Sequence, residues 1–286
     1  MFITMKSEIF ITKKPKSELL MKFISYYYFH SSEKVDVNIK FHYFPNTINA
    51  ITIYKNSKIS FNTNFSSIIQ PTKKKNYTKL YTGLKRVVGS TEIHTPFDKI
   101  AIAFEPLGLN SFINNPIQNI ISERNNFFIS EFDPEIDAIL DQVYLLKDYD
   151  KKVEVLDDFF ISKINNFRCE ITEKAIELIL KNDEKFKVIN LSKILNISSK
   201  TLNRKFNLHL NISVKDFIEI AHFRKTFNHY LNNNQNNKLT DLAYQFNYYD
   251  QSDFINQFRK ITGINPKNLF KKVEHFGNEN LFWKKI

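Results

Sequence analysis

One cysteine and five glycines stand in a chain of 286 residues, and each scarcity removes a class of protein. The single cysteine, Cys169, cannot close a disulfide within the chain, which suits a reducing compartment; a cytoplasmic location is expected. Five glycines against 28 phenylalanines and 13 tyrosines exclude a flexible linker or a low-complexity chain. No stretch reaches the roughly 18 consecutive apolar residues of a membrane span, and the opening "MFITMKSEIFITKKP" lacks the long apolar run of a secretory signal. The glycines of "GLKRVVG" are not followed by Gly-Lys-Ser/Thr, so no phosphate-binding loop is present. His30, His42 and His94 follow no metal-ligand spacing. The acids of "EFDPEIDAILD" and "VLDDFF" lie on amphipathic helical patterns and read as a solvated face rather than a catalytic pair. No cofactor, metal or catalytic residue is expected, and the chain is not expected to be an enzyme.

What the chain does have is unevenly placed charge. Residues 186–286 carry 16 basic and 7 acidic side chains, which leaves 25 and 23 for residues 1–185. The final third therefore holds most of the net charge of +11, and a polyanion is the partner that such a segment suits. A solvated lysine-rich surface would give the same count.

The pattern predicts an α+β protein in three parts. Residues 1–134 read as a β-rich, sensor-like domain: "DVNIKFHYF" alternates at Val37, Ile39, Phe41 and Tyr43, "AITIYKNSKISF" follows, and "LYTGLKRVVG" and "KIAIAFEP" add two further strand candidates. "KKKNYTK" at 73–79 reads as an exposed loop, and Tyr26–Tyr28 as core or pocket wall. "LNSFI" and "NPIQNIIS" read as short helices. Residues 135–185 read as a helical linker or dimerisation region, with helices in "PEIDAILDQVYLL", "KKVEVLDDFFISKI" and "TEKAIELILKN". Residues 186–286 read as an all-α domain.

That last part contains an internal repeat. Leu191-Ser192 and Leu242-Ala243 each lead, four residues on, to an asparagine, Asn196 and Asn247. A polar cluster and a helix with paired apolar anchors follow: Leu202 and Phe206, then Phe254 and Phe258. Five residues past the second anchor stand Asn211 and Gly263. The offset is 51 residues between the leading leucines and 52 between the anchors, so the second turn is one residue longer. Each unit reads as helix, tight turn, helix, with asparagine supplying the left-handed turn residue. In such a unit the first helix props the second, whose outer face enters a DNA major groove. Between the units, residues 214–231 lack Gly and Pro. As one helix they would span about 27 Å at ~1.5 Å per residue, a rigid spacer between grooves about 34 Å apart. His222 and His229 lie two turns apart on it and are expected at a surface or interface.

Leu242-Ala243, Asn247-Tyr248-Tyr249-Asp250-Gln251-Ser252, Phe254, Phe258-Arg259, Gly263 and Pro266 resemble the signature of AraC-type transcription regulators. "ISSKTLNRKF" at 197–206 resembles their first recognition helix, and Phe217 and Arg224 match their connecting helix. The likeness covers about 187–272. It departs from the family at Asn196 and Asn247, which replace glycines, at Asn211 and Val214, which replace Gly and Pro, and at Asn256, which replaces a frequent arginine. "YYYFH" and "IAFEPLGLNSFINNPIQNI" more faintly resemble an uncharacterised domain often placed ahead of such modules.

The resemblance implies a one-component transcription regulator that binds double-stranded DNA, acts with RNA polymerase, most often as an activator, and responds to a small-molecule or protein effector through its N-terminal part, with a homodimer as one assembly. The residues expected to meet DNA are Lys200, Asn203, Arg204 and Asn207 in the first unit and Gln251, Ser252, Asp253, Asn256, Arg259 and Lys260 in the second. Arg can bridge guanine, Asn or Gln adenine, and Asp can accept from cytosine. Arg259, Lys260 and Lys205 suit phosphates. Asp250 and Ser252 are also good helix caps. A DNA-targeted enzyme and a constitutive DNA-binding protein without a sensor are the rival readings. The first needs a convergent titratable pocket in 1–185; the second needs a filled N-terminal core. A cavity of a few hundred Å³ would favour sensing.

Overall fold

Three consecutive tyrosines in the second strand divide between two cores, and that division sets the architecture. Side chains alternate along a strand. Tyr27 therefore joins one apolar cluster while Tyr26 and Tyr28 join another. The computed structural model describes residues 8–62, 66–121, 132–182, 185–232, 238–271, 273–275 and 282–285.

The strands before residue 105 are β1 (Ile9–Lys13), β2 (Ile24–Ser32), β3 (Asn38–Tyr43), β4 (Asn49–Lys55), β5 (Ser57–Asn62), β6 (Ser66–Pro71), β7 (Tyr77–Thr82), β8 (Gly89–His94) and β9 (Phe97–Phe104). After them come α1 (Ile117–Ile120), α2 (Ile136–Leu145), α3 (Tyr149–Lys163), α4 (Glu170–Lys181), α5 (Val188–Ile194), α6 (Ser199–Leu210), α7 (Val214–Asn232), α8 (Leu239–Gln245), α9 (Gln251–Thr262) and α10 (Pro266–Phe270). Two strands close the chain, β10 (Glu274–His275) and β11 (Phe282–Lys285). The protein is thus α+β: a β-rich N-terminal part with helices, then a helical part carrying the repeat.

The first sheet runs β1-β2-β9-β4-β7 and the second β10-β11-β3-β8-β6-β5. Their facing surfaces meet through Tyr26, Tyr28, Phe41, Tyr54, Ile93 and Phe97. The other face of the first sheet packs on α2 and α3 through Tyr27, Ile53, Ile102, Leu140 and Phe160. A sheet covered on both faces needs apolar residues at every position, which is why "KIAIAFEP" and "SYYYF" show no clean alternation. Asn56, with φ 48°, makes the turn between β4 and β5. Gly108 opens the short 3-10 turn Gly108–Phe112. A Cβ there would sit 1.9 Å from the Phe23 carbonyl oxygen, so only glycine fits.

Three sequence expectations give way here. The 73–79 stretch is not a loop throughout, because β7 begins at Tyr77 and Lys79 is buried and paired with Asp137 at 2.7 Å. "LYTGLKRVVG" is strand only to Thr82. His222 is not a surface group: it is 6% exposed and its Nε2–H donates to the Phe246 carbonyl at 2.7 Å. Strands β1, β2, β6 and β8 lie outside the strand candidates of the sequence.

The helices between 135 and 185 serve different cores. α2 and α3 lie on the first sheet; α4 packs through Ala175, Ile176 and Ile179 with Leu202, Phe206 and Phe217. β11, inside the range read as all-α, pairs antiparallel with β3, Trp283 opposite Tyr43. Among the described residues no helix is long and apolar enough to cross a membrane.

Candidate nucleic-acid interface and interior cavity

The two repeated units are built alike. In the first, Asn196 takes φ 52° between α5 and α6, and Ser198 caps α6 by accepting the Thr201 N–H at 3.0 Å. Leu202 and Phe206 are fully buried, and Asn211 ends the helix in the left-handed region at φ 52°. In the second, Asn247 takes φ 55°. Asp250 caps α9 by accepting the Asp253 N–H at 2.7 Å. Phe254 and Phe258 are fully buried, and Gly263 ends the helix at φ 71°. α7 spans 19 residues and joins them. Its first half gives Phe217, Ile218 and Ile220 to one core, its second half Phe223 and Phe227 to the other.

The ten predicted contact residues fall into two groups. Lys200 and Arg204 on α6, and Gln251, Ser252, Asn256, Arg259 and Lys260 on α9, are exposed. Asn203, Asn207 and Asp253 are half-buried. Asn203 is engaged inside the protein: its Nδ2 donates to the Ser199 carbonyl at 3.0 Å, and its Oδ1 accepts the Val214 N–H at 3.1 Å, which caps the start of α7. Asp253 accepts the Tyr249 N–H at 3.2 Å and the Gln257 amide at 2.9 Å. Gln251 accepts from the Thr240 hydroxyl at 2.7 Å. Asp250 is a helix cap, while Ser252 stands exposed in the first turn.

A cavity of about 120 Å³ lies between the sheets, short of the few hundred Å³ that would favour sensing, with Tyr26 and Tyr28, read as core or pocket wall, among its lining residues. Its wall is largely aromatic and aliphatic, with Phe41 and Tyr54 also lining it. Three cationic side chains also line it: Lys85, Lys99 and Arg224. All are buried, at 7%, 3% and 5% exposure. Burial pushes the Lys85 ammonium down to about 7. It pushes Lys99 down to about 7 as well, against an upward pull from Glu8. Arg224 is lowered to about 10 by burial, with Tyr26 acting the other way. The Lys99 ammonium lies 5.5 Å from the Tyr54 ring centre and 5.6 Å from that of Tyr28, where ring faces attract a cation. Arg224 comes from α7, so the helix that joins the two units contributes directly to the cavity wall.

Residues 83–88 connect this cavity to both units. Gly83, Lys85 and Val87 line it. The intervening residues point the other way. Leu84 is buried in the core of the first unit. Arg86 pairs with Asp216 at 3.1 Å and Glu219 at 2.8 Å on α7. Val88 packs on the core of the second. This is the two-residue period of an extended chain, with one edge toward the cavity and one toward the helices. Among the described residues no group of three His, Cys, Asp or Glu could hold a metal ion.

Residues 191–272 match the family described as "Helix-turn-helix domain". No curated protein matches the chain. Among solved structures, the chain is similar to the C-terminal domain of AraT, a response regulator from Geobacillus stearothermophilus. That likeness has 22% identity over 35% of this chain and 83% of that one, with a TM-score of 0.33. It is also similar to ToxT from Vibrio cholerae in two structures. One, bound to an unsaturated fatty acid, has 12% identity over 94% of this chain and 97% of that one, TM-score 0.45. The other has 11% identity over 92% and 97%, TM-score 0.43.

Proposed function

With residues 191–272 belonging to the AraC-type helix-turn-helix family, we propose that the chain is a sequence-specific transcription regulator whose two units read adjacent major grooves of one duplex. One observation carries this reading: two units with the same left-handed turn, capped helix and buried anchors share a single uninterrupted helix, α7. At ~1.5 Å per residue a helix of that length spans close to 30 Å, comparable to the spacing of about 34 Å between successive major-groove faces. Arg204, Lys200, Gln251, Ser252 and Asn256 face base edges, and Arg259 and Lys260 hold phosphates. Asn203 and Asp253 orient the helices that carry them. RNA polymerase is the partner through which a bound regulator would act.

The N-terminal part senses a small organic anion in the cavity. Lys85, Lys99 and Arg224 in a largely apolar wall favour a negative charge there, which would draw the two lysines, lowered to about 7 by burial, into their charged form, and the apolar wall suits a short hydrocarbon body. At about 120 Å³ the space is smaller than a drug-sized site, which limits the ligand to a few carbons unless the wall opens. Residues 83–88 pass occupancy to both units.

Duplexes selected from a random pool by the full chain test the first claim. One sequence should be enriched, and its affinity should fall steeply with salt. Binding without sequence preference, or without sensitivity to salt, overturns it. Thermal shift with short-chain carboxylates against matched alcohols tests the second. Carboxylates should raise Tm, and Lys99→Met should abolish the rise. A rise of equal size with the alcohols overturns the anion assignment.

A further inference from the structure

The second turn is one residue longer than the first, and the structure shows where the extra residue goes. In the first unit Asn196 is followed by Ile197, which packs against the core, and then by the cap Ser198. In the second, Asn247 is followed by two tyrosines before the cap Asp250. Tyr248 takes the inward place: it is 6% exposed, with its ring 4.6 Å from that of His222 and 5.1 Å from that of Phe254. Tyr249 is the surplus residue and is 87% exposed. Its backbone is nonetheless pinned, because its N–H donates to the Asp253 carboxylate while the Asp253 N–H donates to Asp250. A large ring therefore stands out from a doubly clamped turn at the N-terminal end of α9.

Residues at that end of a recognition helix are the ones that reach base edges. The exposed neighbours on α9, Gln251, Ser252 and Asn256, are polar and suit donors and acceptors. Ile255, the apolar residue beside them, packs against the core of the second unit, so the exposed ring of Tyr249 offers the broadest apolar surface for the thymine methyl group, the one apolar feature of the major-groove edge. We infer that Tyr249 is a further DNA-contacting residue, whose ring packs on a thymine methyl in the groove read by α9. The inference rests on the reading of α9 as a recognition helix.

The experiment uses the full chain and the duplex it selects, with each thymine of the α9 half replaced in turn by deoxyuridine, which removes only the methyl. One replacement should weaken binding by the unchanged chain about fourfold, the effect of one buried methyl. Tyr249→Ala should bind the thymine duplex about as weakly and be indifferent to that replacement, and Tyr249→Phe should bind like the unchanged chain. Equal binding by Tyr249→Ala and the unchanged chain overturns the assignment. So does a phenylalanine variant as weak as the alanine one, which would place the hydroxyl on a phosphate instead. If Arg204→Ala loses sequence preference while Tyr249→Ala loses nothing, only the Tyr249 assignment falls. If the unchanged chain selects no sequence, the reading of the domain falls with it.

Discussion

The backbone N–H of Val88 donates to the carbonyl of Ile261 at 3.1 Å, which ties the segment after β7 to the last turn of α9. Together with buried Leu84 and the Arg86 ion pairs, this makes an irregular segment part of the helical core. Leu84→Ala should cost about 2–4 kcal/mol, the range of a buried leucine in a packed core and not of a surface loop. Arg86→Ala should cost less than about 2 kcal/mol, since both of its pairs are partly open to water. Urea unfolding of the two variants checks the order; a Leu84 variant within 0.5 kcal/mol of the parent would remove the segment from the core.

Asn196 and Asn247 hold left-handed backbone where the family resemblance places glycine. Left-handed geometry costs a residue with a Cβ roughly 1–2 kcal/mol, and asparagine less. Asn196→Gly and Asn247→Gly should therefore leave stability unchanged or slightly raised. Alanine at either position should lower it by about 1 kcal/mol. Thermal melts of the four variants decide it, and DNA affinity should follow stability only.

Arg204 and Asn203 are neighbours in sequence with different work. Arg204→Ala should weaken binding to a selected site by about 1–3 kcal/mol and relax base preference, with little change in Tm. Asn203→Ala should do the reverse, because it frees the Val214 N–H at the start of α7. Lys260→Ala should weaken selected and random duplexes alike and flatten the salt dependence. Fluorescence anisotropy at two salt concentrations, beside melts, separates the three patterns.

Burial holds His222 at about 4, well below its ordinary 6.5, with the Phe246 carbonyl pulling the other way. The unfolded chain thus binds a proton between pH 6.5 and pH 4 that the folded chain refuses. Stability from this residue is present above pH 6.5 and declines as pH falls toward 4, by about 3 kcal/mol in all. His222→Gln should be less stable at pH 7 yet show a shallower decline in acid. A decline of equal steepness in both chains would assign the acid sensitivity elsewhere.

The helical part was legible because its physics is local. Phe254 and Phe258 announce a buried face by their spacing, Asn196 and Asn247 announce turns, and Asp250 announces a cap. The N-terminal part was less so. β2 and β9 are covered on both faces and show no alternation, and β6 pairs with β8 in parallel, a contact no hairpin signal marks. Nothing in the charge pattern marks Lys85, Lys99 and Arg224 as interior. Only the closing of two sheets and a helix around them makes them interior. Tyr249 was invisible for a narrower reason: two adjacent tyrosines do not say which one turns inward.

β11 lies along the edge of β3, so the chain that leaves the sandwich at Phe104 comes home to it at Phe282. The helices of the repeat are slung between two moorings and not hung from one. A swing of those helices larger than the slack must peel β11 away, and β3 would then offer bare backbone donors and acceptors to whatever strand is nearest.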